Sequence, residues 1–198
     1  TLREEGVEEN TLVVFTSDNG PWLVMGDRGG SAGLLSHGKG TTWEGGMREP
    51  TIFYWPVKIK PGVVMDMGAT LDLLPTACAV AGAPVPDDRI IDGYDLSLVL
   101  FEEESSPRDS MIYYRGEQIF AARKGPYKAH FITQGAYGQG VEKTTHTPPL
   151  LFHLDNDPEE EYNIAEDHPD VIDEIQQMVE EHRKTVKPVK DQLADRSG

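Results

Sequence analysis

The sequence contains one cysteine, Cys78, among 198 residues. No internal disulfide is therefore possible, and a zinc site or a disulfide framework built from several cysteines is excluded. Basic residues are also scarce, because 18 lysines and arginines accompany 34 acidic residues and leave a net charge of −16. This balance argues against nucleic acid or an anionic membrane as a partner, and no apolar stretch is long enough to span a bilayer.

The first sheet of the protein looks incomplete from the sequence. Residues 12–17 predict a buried strand that needs sheet neighbours, and residues 51–55 are the only comparable run nearby. The start of the chain, Thr1 to Gly6, is not a signal peptide and is typical of the last turn of a helix. We therefore expect the chain to be the C-terminal piece of a larger α/β protein.

An acidic and an amide side chain, Asp18 and Asn19, follow the apolar residues 12–15 closely. An unbroken apolar run predicts a strand buried on both faces of a parallel sheet, and ligands bind beyond the carboxyl ends of such strands. The two side chains offer only oxygen ligands, which suit calcium or magnesium better than zinc. An Asx-turn that caps the next segment is the alternative from the residues alone.

Residues 26–46 are glycine-rich, polar and too long for an ordinary connection, which indicates a functional loop. The loop partly resembles a P-loop, but Gly40 stands where the magnesium-binding hydroxyl belongs, so nucleotide binding is rejected. Lys39, between two glycines, can present an ammonium group to an anion, and a solvated surface lysine is the alternative. We expect Glu44 to pair with Arg48 and to hold the loop in place.

The pattern of apolar and polar residues along the chain changes at an acidic linker. We place a domain boundary there, between residues 104 and 105. Before it, residues 70–82 predict a helix with Asp72 as its N-cap and Cys78 as a small core residue. Beyond it, short apolar runs at 111–114, 118–123, 127–133 and 150–154 predict a small antiparallel sheet.

A final helix begins at Pro169 and should pack across that sheet. Its apolar face consists of Val171, Ile172, Ile175, Met178, Val179 and Val186. The preceding acidic residues 155–161 lack the central glycine and the final glutamate of an EF-hand, so we expect a solvated turn. His37 and His146 fall on predicted loops where polar groups can converge, and a hydrogen-bonded loop histidine is the alternative for each.

Three motifs occur in a defined order and spacing. They are Phe15-Thr-Ser-Asp-Asn-Gly-Pro21, Gly38-Lys-Gly-Thr-Thr-Trp-Glu-Gly-Gly-Met-Arg-Glu-Pro50 and Leu71-Asp-Leu-Leu-Pro-Thr76. Together they resemble the C-terminal portion of sulfatases of the arylsulfatase type, and further matching stretches extend the resemblance over nearly the whole chain. The resemblance implies an alkaline-phosphatase-like α/β fold. Residues 1–104 would be the C-terminal part of its main parallel-sheet domain, and residues 105–198 a small antiparallel sheet with a C-terminal helix.

The resemblance also implies residues of an active site. In sulfatases the Asp-Asn pair completes a calcium or magnesium site, which carries over to Asp18 and Asn19 as metal ligands. The lysine of the Gly-Lys-Gly-Thr-Thr motif contacts the sulfate, which carries over to Lys39 as a catalytic and substrate-binding residue. A histidine before a Pro-Pro pair lies at the substrate pocket in similar members, so His146 is a further substrate-binding candidate. His37 receives no role.

The motif that supplies the sulfatase nucleophile does not occur in this sequence. Sulfatases convert the Cys or Ser of a Cys/Ser-x-Pro-x-Arg motif to formylglycine, whereas Ser105-Ser-Pro-Arg108 has its arginine one position early. We therefore expect a sulfuric ester hydrolase that acts on sugar or aryl sulfates, with its nucleophile in an upstream part of the same protein. That upstream part is the expected partner of this chain, and the family resemblance implies a periplasmic, extracellular or lysosomal location.

Two other functions remain open from the sequence. A phosphodiesterase or phosphonate hydrolase of the same superfamily would use the same metal and a different nucleophile. A truncated, non-catalytic binding module would keep the substrate-facing loop without the chemistry. The upstream sequence discriminates between them, because each alternative predicts a different nucleophile or none.

Overall fold

A computed structural model describes residues 1–187 and residue 189. The chain divides into two compact units, which we call the first unit (residues 1–20 and 48–109) and the second unit (residues 21–47 and 110–198). The domain boundary that the sequence predicts between residues 104 and 105 stays a prediction. The division into compact units does not test it, because a compact unit is not the same as a domain of the family.

The regular elements lie as follows. The strands are β1 Val13–Phe15, β2 Ile52–Tyr54, β3 Ser110–Arg115, β4 Gln118–Lys124, β5 Tyr127–Thr133 and β6 Thr144–His153. The α-helices are α1 Glu44–Met47, α2 Leu73–Ala81, α3 Ser97–Glu102 and α4 Pro169–Thr185. Short 3-10 helices lie at Glu8–Asn10, Leu23–Arg28, Thr70–Asp72 and Ala136–Gly138. None of the described helices has the length and apolar character needed to cross a bilayer.

The two strands of the first unit do not form the parallel pair that the sequence predicted. β1 and β2 run antiparallel, with Val14 opposite Phe53. Val14 and Phe15 are exposed, so β1 is not buried on both faces. The predicted parallel pairing of β1 with β2 is wrong, because an apolar run does not specify which strand lies alongside it. The burial of β1 on both faces stays a prediction for the longer protein, since the sheet is expected to be incomplete in this chain.

A buried ion pair stabilises the helical part of the first unit. Asp72, the predicted N-cap of α2, is fully buried and accepts a hydrogen bond of 2.9 Å from the guanidinium of Arg108. Its carboxylate also accepts the backbone N–H groups of Ala69 and Tyr94, each at 2.8 Å. Asp72 thus occupies the predicted N-cap position of α2, but its carboxylate does not cap the first turn of α2. It binds Arg108 and the N–H of Ala69, at the start of the preceding 3-10 helix, so Arg108 is a structural residue.

The second unit is built on the antiparallel sheet that the short apolar runs predicted. Its strand order is β3-β4-β5-β6, so neighbours along the chain are also neighbours in the sheet. β6 is longer than the predicted run at 150–154 and includes Pro148 and Pro149. Proline lacks the N–H that a central strand needs, and β6 tolerates it because β6 lies at the edge of the sheet.

Helix α4 packs on this sheet through its apolar face, which confirms the predicted arrangement. Ile172, Ile175 and Val179 are buried in one hydrophobic core with side chains from β4, β5 and β6. Burial of each such side chain contributes roughly 1.5–3 kcal/mol before the cost of ordering it. Val186 follows the end of the helix and is exposed, so it does not extend the apolar face.

The acidic segment 155–161 is not the solvated turn that its composition predicted. Asp157 and Glu160 are buried. The carboxylate of Asp157 accepts the backbone N–H groups of Glu161 and Tyr162 at 3.0 and 2.9 Å. Composition alone was misleading here, because the partners of Glu160, Lys128 and His130, lie on β5, far away along the sequence.

Candidate active site

Asp18 and Asn19 lie in the first unit, in the turn that follows β1. The Ser17 hydroxyl closes this turn by donating to the backbone oxygen of Asn19 at 2.9 Å. The hydroxyls of Thr16 and Thr51, 2.8 Å apart, join the turn to the start of β2. Among the described residues neither the Asp18 carboxylate nor the Asn19 amide makes a hydrogen bond, so the Asx-turn alternative is not observed. Both groups are available to a ligand.

A third oxygen-bearing side chain of the first unit, Glu49, interacts with Asp18. One carboxylate oxygen of Glu49 is buried without a hydrogen-bond partner. Burial raises the pKa of Glu49, and the negative charge of Asp18 raises it further. Carboxylate and amide oxygens suit hard divalent cations, so the donor chemistry fits calcium or magnesium. The described part of the chain nevertheless contains no group of three or more His, Cys, Asp or Glu side chains placed to hold a metal ion.

Lys39 lies in the second unit, on irregular backbone before α1. Its backbone N–H donates to the oxygen of Pro21 at 2.9 Å. Its ammonium lies 5.9 Å from the centre of the Trp22 ring, which is a cation–π arrangement. The side chain is half-buried, and no carboxylate among the described residues lies within ion-pair distance of it. The charge of Lys39 is therefore available to an anion.

The helix that follows Lys39, α1, is anchored by four buried ionisable side chains that we call the buried cluster: Glu44, Lys128, His130 and Glu160. The Lys128 ammonium donates to Glu44 at 2.8 Å and lies 3.1 Å from Glu160. The Glu160 carboxylate is 2.7 Å from Nε2 of His130 and accepts the backbone N–H of Glu44 at 2.6 Å. The buried cluster thus joins α1 to β5 and to the acidic segment 155–161.

Reasoning from the sequence missed the buried cluster. Glu44 was predicted to pair with Arg48, which is wrong because Lys128 holds its carboxylate. The available signal was the pair Lys128 and His130, two positions apart in an otherwise apolar strand. Side chains two positions apart lie on one face of a strand, and ionisable groups on a buried face need charged or hydrogen-bonding partners.

Burial and neighbouring charges set the protonation of the cluster. Burial lowers the pKa of His130, and the carboxylate of Glu160 opposes this effect only in part. The imidazole is therefore neutral near pH 7 and donates from Nε2 to Glu160, while its Nδ1 is buried without a partner. Burial acts to raise the pKa of Glu160, but the hydrogen bond from His130 and the charge of Lys128 outweigh it and lower the pKa.

A glycine lets α1 approach the backbone before Lys39 closely. The N–H of Gly45 donates to the oxygen of Ser36 at 2.9 Å. A β-carbon on Gly45 would lie only 2.3 Å from that oxygen and 2.4 Å from the oxygen of His37. Residues 36–38 are therefore packed directly on α1, so the buried cluster that anchors α1 also holds the backbone that leads into Lys39.

The two candidate histidines both contact neighbours in the second unit. His37 stacks on Trp43 with ring centres 4.2 Å apart, and burial lowers the pKa of His37. His146 lies on β6 and not on the predicted loop, and its Nε2 is 2.9 Å from the Thr133 hydroxyl. His146 also lines a groove of about 550 Å³ beside α4, together with Phe131.

The predicted site residues are thus distributed over both units. Asp18 and Asn19 are adjacent in the first unit, whereas Lys39 and His146 belong to the second unit. Within the second unit Lys39 contacts Trp22 and His146 contacts Thr133. Their action in one common site stays a prediction.

Sequence comparisons identify relatives of both parts of the chain. Residues 1–83 match the sequence model of the sulfatase family, and residues 106–197 match the model described as the C-terminal region of aryl-sulfatase. Human arylsulfatase A is 45% identical over 194 residues, which cover 87% of this chain and 38% of that protein. Canine N-acetylgalactosamine-6-sulfatase is 40% identical over 216 residues, which cover 97% of this chain and 41% of that protein.

Solved structures resemble the chain over a similar extent. The PsFucS1 sulfatase from Pseudoalteromonas sp. superposes with a TM-score of 0.82 and 30% identity, over 93% of this chain and 39% of that one. The structure of Ps i-CgsB gives a TM-score of 0.75 and 29% identity, over 91% of this chain and 38% of that one. The chain therefore spans about two fifths of the length of the proteins it resembles.

Proposed function

This chain belongs to the sulfatase family, and we propose that it forms the C-terminal part of an enzyme that hydrolyses sulfate esters. The proposal rests mainly on the position and the surroundings of the Lys39 side chain. Its ammonium is available to an anion, and the backbone before it is packed on a helix that the buried cluster anchors. It also lies in the Gly-Lys-Gly-Thr-Thr motif, whose lysine contacts the sulfate in this family.

Lys39 stabilises the negative charge that develops on the sulfate and on the leaving oxygen as the sulfur is attacked. An ammonium is a compact point charge with three donors, so it can follow a charge that shifts between neighbouring oxygens. A donor whose position is set before the reaction loses no energy to reorganisation in the transition state. The packing of residues 36–38 on α1 and the hydrogen bond from the Lys39 N–H to Pro21 support that fixed position.

Asp18 and Asn19 are the residues of this chain that would hold calcium or magnesium. The free carboxylate and amide oxygens support this role, as does the unpartnered buried oxygen of Glu49. A bound divalent cation supplies positive charge that polarises the sulfate oxygens. Calcium takes roughly six to eight oxygen ligands, so the set is completed by residues outside this chain.

The isolated chain should therefore bind calcium only weakly. Two side-chain ligands leave most of the coordination shell to water, which gives little advantage over the hydrated ion. Isothermal titration of the chain with calcium would measure this. Micromolar affinity that disappears in Asp18→Ala would show that the site is more complete than we propose.

His146 is the second substrate-binding residue that we propose, because it lines an open groove from a well-held position on β6. The nucleophile is the formylglycine of this family, and it lies in a part of the protein upstream of this chain, since no Cys/Ser-x-Pro-x-Arg motif occurs in it. The chain alone should consequently show no turnover of an aryl sulfate. The family resemblance also supports a lysosomal, periplasmic or extracellular location.

The decisive test is steady-state kinetics of Lys39→Ala in the full-length enzyme. We expect kcat to fall by about 10²–10³-fold, which is the loss typical of removing one preorganised donor. Lys39→Arg should not restore the rate, because a broad planar guanidinium does not fill the place of a compact ammonium. Lys58→Ala, which removes an exposed lysine, is the matched control and should leave kcat unchanged.

Two outcomes would contradict the proposal in different ways. A normal kcat with a raised KM in Lys39→Ala would mean that Lys39 binds substrate and transition state equally, so its catalytic role would be wrong. An enzyme that cleaves phosphate diesters or phosphonates faster than sulfate esters would overturn the reaction class itself.

A further inference from the structure

His37, to which the motifs of the sequence give no role, precedes Lys39 by two residues and has an unusual backbone conformation. Its φ is 59°, in the left-handed region that residues with a side chain adopt rarely. Such residues favour a negative φ, because their β-carbon is crowded in left-handed backbone. Contacts with the rest of the protein must therefore hold His37 in this conformation.

The imidazole ring of His37 makes one such contact. It lies against the Trp43 ring, with ring centres 4.2 Å apart and planes inclined by 38°. Trp43 is only 8% exposed, and its ring lies 5.2 Å from that of His130 in the buried cluster. Aromatic pairs at this separation contribute stability beyond the area that they bury. The side chain of His37 is thus connected, through Trp43, to the buried cluster.

The backbone on both sides of His37 is closely packed. The Ser36 hydroxyl donates to the backbone oxygen of Glu159 at 2.5 Å. On the other side Gly38 is buried, and a β-carbon on it would lie 2.5 Å from the oxygen of Pro21. All of these contacts are made inside the second unit, so none of them depends on an exposed surface.

We infer that His37 is a positioning residue for Lys39: the contact of its ring with Trp43 keeps the left-handed turn that directs the backbone into Lys39. This inference rests on the proposed function, in which Lys39 acts on the sulfate. A change of φ at residue 37 to the preferred negative range would redirect the residues that follow, and with them the ammonium. The ring contact opposes this change, so the ammonium is in place before the reaction begins.

Three substitutions separate the ring contact from the backbone conformation and from proton transfer. His37→Gly allows the turn but does not enforce it, because glycine adopts a positive φ as readily as a negative one. His37→Asn also tolerates left-handed backbone and lacks a ring. His37→Phe keeps a ring against Trp43 and cannot transfer a proton.

The test is steady-state kinetics of these variants in the full-length enzyme, with thermal melts to check that each variant is folded. The substrate is 4-nitrophenyl sulfate or a hexose sulfate, whichever the unaltered enzyme hydrolyses faster. We expect His37→Gly and His37→Asn to lower kcat by about threefold to tenfold, the scale of one aromatic contact, and to change KM little. His37→Phe should keep kcat within about twofold of the unaltered enzyme, because the ring contact remains.

A double-mutant cycle with Lys39→Ala shows whether His37 acts through Lys39. If it does, His37→Gly should have no further effect on kcat once the ammonium is absent, because nothing remains to be positioned. A merely structural role would lower kcat by the same factor in both backgrounds. Glu103→Gly is the matched control and should leave kcat unchanged, because Glu103 has a φ of 60° and is an exposed residue of the first unit.

The outcomes distinguish the positioning role from the proposed function. If the unaltered enzyme hydrolyses neither ester, or if Lys39→Ala keeps a normal kcat, the role proposed for Lys39 is wrong and that of His37 fails with it. If Lys39→Ala lowers kcat and His37→Gly does not, only the positioning role is wrong.

Two further results would overturn the positioning role alone. A loss in His37→Phe as large as that in His37→Gly would show that the reaction needs the imidazole itself and not a ring against Trp43. Equal losses from His37→Gly with and without the Lys39 ammonium would show that His37 does not act through Lys39.

Discussion

At the scale of single residues, the roles of charged side chains in this protein depend on burial more than on residue type. Lys39 and Lys128 carry the same group, but Lys39 is available to an anion whereas Lys128 is fully buried between Glu44 and Glu160. A buried charge is tolerated only when its partners are close and well oriented. Lys128 therefore serves the fold, whereas Lys39 is available for the catalytic role that we propose for it.

Lys128→Met should be among the most destabilising single substitutions in the second unit. It removes the ammonium and leaves two buried carboxylates without their common partner, a change that typically costs about 3–5 kcal/mol. Urea unfolding of the purified chain, followed by circular dichroism, would measure the loss. Lys184→Met, which breaks an exposed ion pair with Glu181 on α4, is the control and should change little. A similar small effect for both variants would contradict our account of the buried cluster.

The stability of the chain should fall as the pH is lowered from 7 towards 4. The pKa of His130 is lowered in the folded state, so below its ordinary value of about 6.5 the unfolded chain binds a proton that the folded chain does not. The pKa of Glu160 is also lowered, and its contribution is lost as the pH falls through its folded pKa. Both effects have the same sign, because each makes the unfolded state the one that binds more protons.

His130→Gln separates these two contributions. The glutamine amide can still donate to Glu160 but does not titrate, so stability should depend less steeply on pH between about 7 and 5. The loss of stability below about pH 5, to which Glu160 contributes, should remain. Unfolding midpoints measured in urea across this range test the prediction, and identical pH profiles for the two proteins would rule out His130 as the titrating group.

At the scale of elements, α1 is short, and its position comes from tertiary contacts. A helix of four residues has little stability of its own, and two of the four are glycines. It persists because the other members of the buried cluster hold Glu44. In addition, Gly45 allows α1 to contact residues 36 and 37 directly. The backbone before Lys39, which packs on α1, is therefore only as stable as these anchors.

Gly45→Ala tests this close contact. In an exposed helix the change from glycine to alanine stabilises by about 1 kcal/mol. Here the added carbon would lie 2.3 Å from a backbone oxygen, so the helix must move away and the sign should reverse. Gly62→Ala is the matched control, because its β-carbon would meet no atom within 4 Å. Thermal melts in which Gly45→Ala is as stable as the unaltered chain would show that α1 is not pressed against this loop.

At the scale of the whole molecule, apolar burial is unequal between the two units. The main hydrophobic core consists of side chains from β4, β5, β6 and α4, all in the second unit. The short sheet of the first unit leaves Phe15 and Ile52 more than half exposed. Since the chain covers about two fifths of its relatives, we expect the first unit to gain its remaining cover from the upstream part of the protein.

Hydrogen exchange of the isolated chain should reflect this inequality. Amide protons of β4, β5 and α4 should be the most protected, because their opening exposes the main core. Those of β1 and β2 should exchange faster, since only three residues of each strand are paired. Mass-spectrometric exchange of peptides from both units would measure the order. Strongest protection at residues 13–15 would contradict it.

The local sequence predicted most regular elements of the second unit and the residues proposed for the candidate site. The apolar runs predicted the second sheet, the face of α4 was evident from its spacing, and three motifs identified Asp18, Asn19 and Lys39 through the resemblance to sulfatases. These features are carried by residues close together along the chain, where periodicity and spacing are informative.

Which distant residues meet follows from the packing of the whole chain and not from local sequence. The antiparallel pairing of β1 with β2, the ion pair of Asp72 with Arg108 and the buried cluster could not be read from local patterns. The bonded partners are 36 residues apart for Asp72, 84 for Glu44 with Lys128 and 116 for Glu44 with Glu160. A local sequence pattern shows that a charge or an apolar face needs a partner, but the partner is chosen by the packing of the whole chain.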